Sequence, residues 1–344
     1  MMLDLKRTIL TVFLLVAMSS TVMSANIWYE DNNLGEPGGM MQDFKEKFQK
    51  PETFSQATRY INVYMVRPTN LSDLDDLFIT KYLLPYLTNN NIKLAINAGG
   101  ATWMKRKNRG KVFDSEMTLL KRLKGLGVEV GYISLQSVLS KPLKTDGQKD
   151  SYPLSDRIDD VIAYTKAACA VYPQVQIGII DALPSHAEEY REPYRLLRDA
   201  MTKESIPLSY IHLDMPFELP KEQRDGITWQ KIREVERYVE ETLGLKFGLI
   251  TTSAKGGKMS SKAFHERVMA ALDCYAGADG SPAEFIIASW FPYPQKAIPE
   301  TASGSDYPAM RTVLEFGREL KRIENGGALV DASQAGWRAL CTTP

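Results

Sequence analysis

Two aspartates close apolar runs whose length suits a buried strand. Asp181 ends the run "IGIID", and Asp214 ends the run "IHLD". A carboxylate in an apolar wall is costly unless it is paired or used chemically. Two carboxyls at corresponding ends of neighbouring strands can act as general acid and base. We therefore predict Asp181 and Asp214 as catalytic residues. The structural alternatives are that Asp181 caps the turn into the following helix or pairs with Arg67 or His186 at the rim, and that Asp214 caps a loop.

Other polar and aromatic side chains close or follow further apolar runs. Those predicted to contact a substrate are Arg67, Asn97, Gln136, His212, Trp290 and Glu300. Several have structural alternatives. His212 can be a satisfied interior histidine, Glu300 can cap the helix that follows it, and Arg67 can hold a rim carboxylate.

Aromatic side chains follow the last predicted strand in "SWFPYP". Trp290, Phe291 and Tyr293 lie there beside prolines, and Trp103 follows an earlier strand. Aromatic faces at the mouth of a pocket provide the apolar surface on which sugar rings stack. The alternative is that these rings only cover the end of the fold.

Apolar runs of strand length alternate with amphipathic stretches of helix length after residue 59. The predicted strands are Tyr60 to Val66, Ile92 to Ala98, Val128 to Leu135, Val175 to Ile180, Leu208 to Leu213, Lys246 to Thr251 and Glu284 to Trp290. This order predicts parallel pairing in an α/β protein, a (β/α)8 TIM barrel with one irregular or missing strand. Either Ile27 to Glu30 or Ala328 to Asp331 can supply the eighth. No glycine-rich phosphate loop follows the first predicted strand, which disfavours a dinucleotide-binding sheet.

Side-chain alternation predicts which residues share a face of each strand. It places Tyr210, His212 and Asp214 together, and Ile177 and Ile179 with Asp181. Active sites of such barrels lie at the carboxyl ends of the strands. We therefore expect both aspartates to point into the barrel mouth.

The N-terminus has the order of a secretory signal. Lys6 and Arg7 precede the apolar stretch Ile9 to Met18, and small residues follow up to Ala25. Ten apolar residues are too few for a stable membrane span of ~30 Å. We predict a signal peptide over residues 1–25, a single barrel domain over 26–344, and export to the periplasm or the extracellular space, with an uncleaved anchor as the alternative.

Composition excludes several classes of partner and cofactor. Lys and Arg total 42, as do Asp and Glu, so no net charge favours nucleic acid. The three cysteines permit at most one intramolecular disulfide, and Cys169 is predicted to be a core residue. No histidine or cysteine spacing matches a metal site. We expect no cofactor, no metal and no stable membrane span after signal cleavage.

With these residues in view, the chain resembles exported TIM-barrel proteins of the glycoside-hydrolase-like kind. The resemblance is carried by "INVYMV", "IGIID", "IHLD" and "ASW..P...IPET..S", taken as the first, fourth, fifth and post-seventh segments. It implies a carbohydrate or polysaccharide partner. It also implies an acidic pair closing the strand "YISLQ", where Gln136 and Ser137 stand, and glutamates closing the fourth and seventh strands, where this numbering has Asp181 and Trp290.

Two main functions are compatible with these patterns. The first is an exported glycoside hydrolase that acts on a polysaccharide by carboxylate acid/base chemistry. The second is a non-catalytic carbohydrate-binding protein that has lost an acidic group, since the amide of Gln136 cannot ionise. A lyase or a deacetylase is a weaker third interpretation, because a deacetylase usually needs a metal cluster.

Overall fold

The computed structural model describes residues 24–32, 41–103, 110–139, 153–183, 189–206, 208–301, 307–327, 337 and 339–342. Within these ranges, eight parallel strands pair in chain order and β8 pairs with β1, which closes a barrel. The strands are β1 Asn26–Glu30, β2 Ile61–Val66, β3 Lys93–Ala98, β4 Val130–Gln136, β5 Gln176–Asp181, β6 Leu208–Pro216, β7 Lys246–Thr252 and β8 Glu284–Ile287. The prediction of a (β/α)8 barrel is confirmed, and 27–30 is the strand that the sequence left undecided. The other candidate, 328–331, lies outside the described residues.

Helices surround the barrel and connect its strands. They are α1 Phe44–Gln49, α2 Ser55–Thr58, α3 Pro68–Ser72, α4 Asp76–Phe78, α5 Leu84–Asn89, α6 Gly110–Gly125, α7 Leu154–Val171, α8 Arg191–Lys203, α9 Glu218–Lys221, α10 Trp229–Arg237, α11 Ala254–Met259, α12 Ser261–Ala276, α13 Ala309–Glu324 and α14 Ala339–Thr342. None of the helices in the described ranges is long and apolar enough to cross a membrane.

Both faces of the barrel sheet are buried. The outward face packs against the helices in one large apolar cluster, and the inward face forms a smaller one. The inward residues are Trp28, Val63, Met65, Ala95, Ile180, Tyr210, Ile250, Ile286 and Ala288. Parallel strands covered on both faces have this nearly continuous apolar character.

Large rings fill the lower interior of the barrel. The Trp28 ring lies 4.7 Å from Tyr132 and 4.6 Å from His212, centroid to centroid. Glycines on the neighbouring strands leave room for these rings. A Cβ atom at Gly178 would come within 2.1 Å of Tyr210, and one at Gly248 within 2.5 Å of His212.

One disulfide joins the C-terminal segment to the helical layer. Cys274 of α12 bonds to Cys341 of α14, 67 residues later. Cys169 is a free, partly buried cysteine of α7 that packs against the outer apolar cluster, which agrees with its predicted core role. Of the predicted signal peptide, the structure describes only Ser24 and Ala25, which both bind the carboxylate of Glu324.

Candidate functional site

A buried carboxyl group lies at the carboxyl end of β1. The side chain of Glu30 is fully buried, and Asn97 at the end of β3 donates a hydrogen bond of 2.7 Å to its Oε1. Its Oε2 has no hydrogen-bond partner among the described residues. Burial raises the pKa of Glu30 to about 8, although the hydrogen bond from Asn97 acts in the opposite direction. Glu30 therefore keeps its proton at neutral pH.

Two charged side chains act on Glu30 from other strands. Arg67, the residue that follows β2, lowers the pKa of Glu30, while Asp214 on β6 raises it. Both are half-buried. These opposing effects place a cation and a second carboxylate within electrostatic range of the Glu30 carboxyl group. Arg67, Asn97 and Asp214, predicted separately from the sequence, thus converge on one residue that the prediction had not included.

Further side chains belong to the same end of the barrel. Gln136 is the last residue of β4 and follows the inward-facing Tyr132 and Ser134 in strand alternation. Trp290 follows β8 and packs against the inward apolar cluster. Thr252 ends β7, where it is fully buried. The mouth therefore combines a protonated acid, amides, a hydroxyl group and an aromatic ring, which are groups that bind sugar hydroxyls and ring faces.

The predicted orientation of Asp181 is wrong. On β5, Ile180 points inward, whereas Ile177 and Ile179 belong to the outer cluster. Asp181 shares their face by alternation and lies against Tyr194 of α8. Burial raises the pKa of Tyr194 well above its ordinary value, and the neighbouring Asp181 carboxylate raises it further. Asp181 thus stands in the helical layer, as a structural rim residue would.

Glu300 lies apart from the mouth cluster. Its two carboxylate oxygens accept hydrogen bonds from the backbone N–H groups of Gln56 and Ala57, at 3.1 and 2.6 Å. The side chain is buried and its acceptors serve the first turn of α2. Glu300 therefore caps a helix, as the structural alternative has it, but the helix that it caps precedes Glu300 in the chain. Both of its carboxylate oxygens are engaged by α2, so the structure does not support the prediction that Glu300 contacts a substrate.

His212 faces the barrel interior together with Tyr210, as strand alternation predicts, but one layer below Asp214. Its Nε2 lies 2.7 Å from Oε2 of Glu284, and both side chains are fully buried. Lys246 lies 3.7 Å from the other oxygen of Glu284. His212 is thus an interior histidine paired through Nε2 with Glu284 at the floor of the barrel, while its Nδ1 has no partner among the described residues.

Glu30 was not among the residues predicted for the site, although the sequence carries a signal for it. The segment "NIWYED" is a short apolar strand closed by two adjacent acids, the same shape that drew attention to Asp181. The sequence pattern offers this segment as one of two candidates for the eighth strand, so it does not assign the terminal residues to the mouth. His186 and the side chain of Trp103, also considered for the site, lie outside the described residues.

Recognising β1 shifts the strand numbering by one. The fourth strand ends at Gln136 and the seventh at Thr252, instead of Asp181 and Trp290. Neither Gln136 nor Thr252 can act as a carboxylic acid. The two glutamates that the family resemblance implies at these strand ends are therefore absent from both positions. Within the described residues, no group of three or more His, Cys, Asp and Glu side chains is arranged to hold a metal ion.

Comparison with known proteins agrees with the fold at very low sequence identity. The sequence matches no protein-family model, and no curated protein matches it. A glucosidase from Croceicoccus marinus has a TM-score of 0.52 and 12% identity, over 86% of this chain and 67% of that one. Xylanase10C from Cellvibrio japonicus has a TM-score of 0.52 and 11% identity, over 85% and 70%. A mutant of xylanase A from P. fluorescens subsp. cellulosa, in complex with xylopentaose, has a TM-score of 0.51 and 11% identity, over 86% of this chain and 98% of that one. The chain thus has a TIM-barrel fold, as the sequence resemblance implied.

Proposed function

We propose that this protein hydrolyses glycosidic bonds of a polysaccharide, with Glu30 as the proton donor and Asp214 as its carboxylate partner. The observation that carries the proposal is the buried Glu30 carboxyl group, whose pKa is about 8. A general acid must be protonated at the working pH and must have a pKa near it. Glu30 meets both conditions at neutral pH.

The hydrogen bond from Asn97 identifies the oxygen that carries the proton. Asn97 Nδ2 is a donor, so Oε1 of Glu30 must accept, and the proton of the neutral acid resides on Oε2. Oε2 has no partner among the described residues and is available for a glycosidic oxygen. Protonation of that oxygen allows the bond to the sugar to break, and positive charge develops on the sugar ring.

Asp214 supplies the negative charge that this step requires. Its carboxylate raises the pKa of Glu30 from β6, and a pair of carboxyl groups of which one stays protonated can divide the roles of acid and base. Asp214 can stabilise the positive sugar ring or activate water. Arg67 offsets part of the negative charge, and Trp290 offers an aromatic face for a sugar ring. We propose no catalytic role for Asp181.

The substrate class and the location of the protein are part of the proposal. The xylanase with bound xylopentaose supports a polysaccharide or oligosaccharide as substrate. The signal-like N-terminus supports export to the periplasm or beyond, and the Cys274–Cys341 disulfide is typical of proteins in oxidising spaces. N-terminal sequencing of the exported protein should begin near Ser24 or Ala25. Recovery of the intact N-terminus would favour an uncleaved anchor.

The test measures turnover and binding separately on xylo-oligosaccharides and cello-oligosaccharides. Glu30→Gln keeps the size of the side chain and its bond to Asn97 but removes the proton, so we expect turnover to fall ~10²- to 10⁴-fold. Asp214→Asn should also impair turnover. Calorimetry should show that both variants still bind the substrate. Asp181→Asn is the matched control, because it replaces a carboxylate on the opposite face of a barrel strand.

The second candidate function is carbohydrate binding without catalysis. The observation that favours it is the presence of Gln136 and Thr252 where the resemblance implies glutamates. In that case the wild type would release no product from any oligosaccharide but would still bind one. Trp290→Ala would then weaken binding by about 1 kcal/mol, because the stacking face is lost. Turnover by the wild type that survives Glu30→Gln would refute the assignment of Glu30.

A further inference from the structure

A lysine and an aspartate meet inside the outer layer of the barrel. Asp31 follows Glu30 at the end of β1, and Lys47 belongs to α1. Lys47 Nζ is in direct contact with Asp31 Oδ2, and both side chains have 0% exposure. Tyr64 on β2 donates a hydrogen bond of 2.7 Å to the same oxygen. The mechanism proposed above uses none of these three residues.

The surroundings of this pair are aromatic. Four ring centroids lie between 4.6 and 5.7 Å from the Lys47 amine. They belong to Tyr29, Phe44, Phe48 and Tyr64. Among the described residues, neither Lys47 Nζ nor Asp31 Oδ1 has a partner in a hydrogen bond of normal geometry. The amine and the carboxyl group therefore have each other, the hydroxyl group of Tyr64 and otherwise the faces of aromatic rings.

Two separate charges are poorly accommodated in such a place. A buried ion pair is favourable only when its remaining protons and lone pairs are also bonded, and an ammonium group has three N–H donors. Burial lowers the pKa of Lys47 well below its ordinary value, which favours the neutral amine. A neutral amine is a nucleophile. The same apolar surroundings disfavour the carboxylate and favour the acid form, which is the electrophile.

We propose that Lys47 and Asp31 are joined by an intramolecular amide bond between Lys47 Nζ and Asp31 Cγ. The amine lone pair attacks Cγ, the bond from Cγ to Oδ2 breaks, and Oδ2 leaves as water with two protons, one from the carboxylic acid and one from the amine. Tyr64 holds the departing oxygen by its hydrogen bond. No oxidant or reductant is needed. The product is a neutral amide with one N–H group and Oδ1 as its carbonyl oxygen.

The bond has a structural consequence at the barrel mouth. It fixes the residue next to Glu30 to α1, and it closes the chain between residues 31 and 47. A covalent closure removes conformational freedom from the unfolded chain, as a disulfide does. The end of β1, which carries the proposed proton donor, is thereby held from its outer side.

Mass spectrometry of the purified wild-type protein, reduced and denatured, tests the bond directly. The intact chain should be lighter by one water than its sequence requires. In a tryptic digest, an unmodified chain gives segments 46–47 and 48–59, because Lys50 precedes Pro51. The bond blocks cleavage after Lys47. Segment 46–59 should then appear as a branch on the peptide that ends at Lys45, and fragmentation should locate the branch between Lys47 and Asp31.

Two controls make the result decisive. Lys47→Met should have the full mass and linear peptides, and in the wild type the exposed Lys166–Glu204 pair, 2.6 Å apart, should remain linear. Linear recovery of segments 46–47 and 48–59 from folded wild-type protein would overturn the proposal. A water loss that maps to a linear peptide, such as a cyclised aspartate, would overturn it as well.

Discussion

Glu30 and Asp31 are adjacent carboxyl residues, both fully buried, on opposite sides of the wall of the barrel. Glu30 faces the interior, where an amide, a cation and a second carboxylate surround it, and it remains neutral by keeping its proton. Asp31 faces the helices, where Lys47 and Tyr64 contact it. The difference shows two ways to bury a carboxyl group. Only the first leaves a proton that can be transferred to a substrate.

The largest expected difference between the two residues is the contribution of Glu30 to the pH dependence of the free energy of unfolding. Its pKa is about 8 in the folded protein and 4.5 when unperturbed. The folded state therefore keeps a proton that the unfolded state loses. The free energy of unfolding should fall as pH rises from 4.5 to 8, by about 1.4 kcal/mol per unit from this residue.

Replacing Glu30 by Gln removes this contribution. Urea unfolding of the wild type and of Glu30→Gln at pH 5, 6.5 and 8 should show the variant gaining on the wild type as pH rises. The relative gain should be on the order of 4 kcal/mol over the full range. Parallel stability curves would show that Glu30 is ionised in the folded protein and cannot be the proton donor proposed here.

Asp31 should behave differently, because its partner is a buried lysine. Asp31→Ala removes the amide bond and leaves the Lys47 amine among aromatic rings without a partner, and we expect a loss of about 2–5 kcal/mol in the free energy of unfolding, as when a covalent cross-link is removed. Lys47→Met should cost less, since Asp31 keeps its hydrogen bond from Tyr64 and can take a proton. Urea unfolding at pH 7 compares the two variants. Equal and small losses would show that the pair is not the stabilising element of this region.

A smaller effect concerns the hydrogen bond between Asn97 and Glu30. Asn97 lowers the pKa of Glu30, so Asn97→Ala should raise that pKa further. The fall in the free energy of unfolding should then continue to a higher pH than in the wild type. The loss of one buried hydrogen bond should cost about 1 kcal/mol. The same unfolding series detects both changes. If the fall in the free energy of unfolding ended at a lower pH than in the wild type, the assignment of Asn97 as donor and Glu30 as acceptor would be contradicted.

The fold was accessible from the sequence because apolar runs of strand length alternated with amphipathic helices. The orientation of Asp181 was not accessible for a physical reason. Strand alternation shows which residues share a face, but both faces of this barrel are apolar, so the pattern does not tell the inner face from the outer one. The prediction was right for β6, where the inner face carries Tyr210 and His212. It was wrong for β5, where Ile177 and Ile179 lie on the outer face and Ile180 on the inner face.

The polar contacts around β1 were also beyond the sequence pattern. Asn97 lies 67 residues from Glu30, and the parallel pairing of β1 with β2 and of β2 with β3 brings the ends of β1 and β3 to the same mouth. The pairing of Lys47 with Asp31 has no spacing motif, because it depends on how α1 docks against the end of β1. Residue type identified the polar strand ends. Long-range packing determined which of them meet.

The smallest expected effect concerns Asp181, and it tests the boundary of the site. Asp181→Asn changes a carboxylate that lies against Tyr194 outside the barrel wall, and an amide oxygen can still accept a hydrogen bond there. We expect turnover to be unchanged and the free energy of unfolding to change by about 1 kcal/mol or less. Steady-state kinetics and urea unfolding of the same preparation measure both. A loss of turnover with stability preserved would return Asp181 to the catalytic site, because an outer-layer carboxylate can affect hydrolysis only by disturbing the fold that positions Glu30.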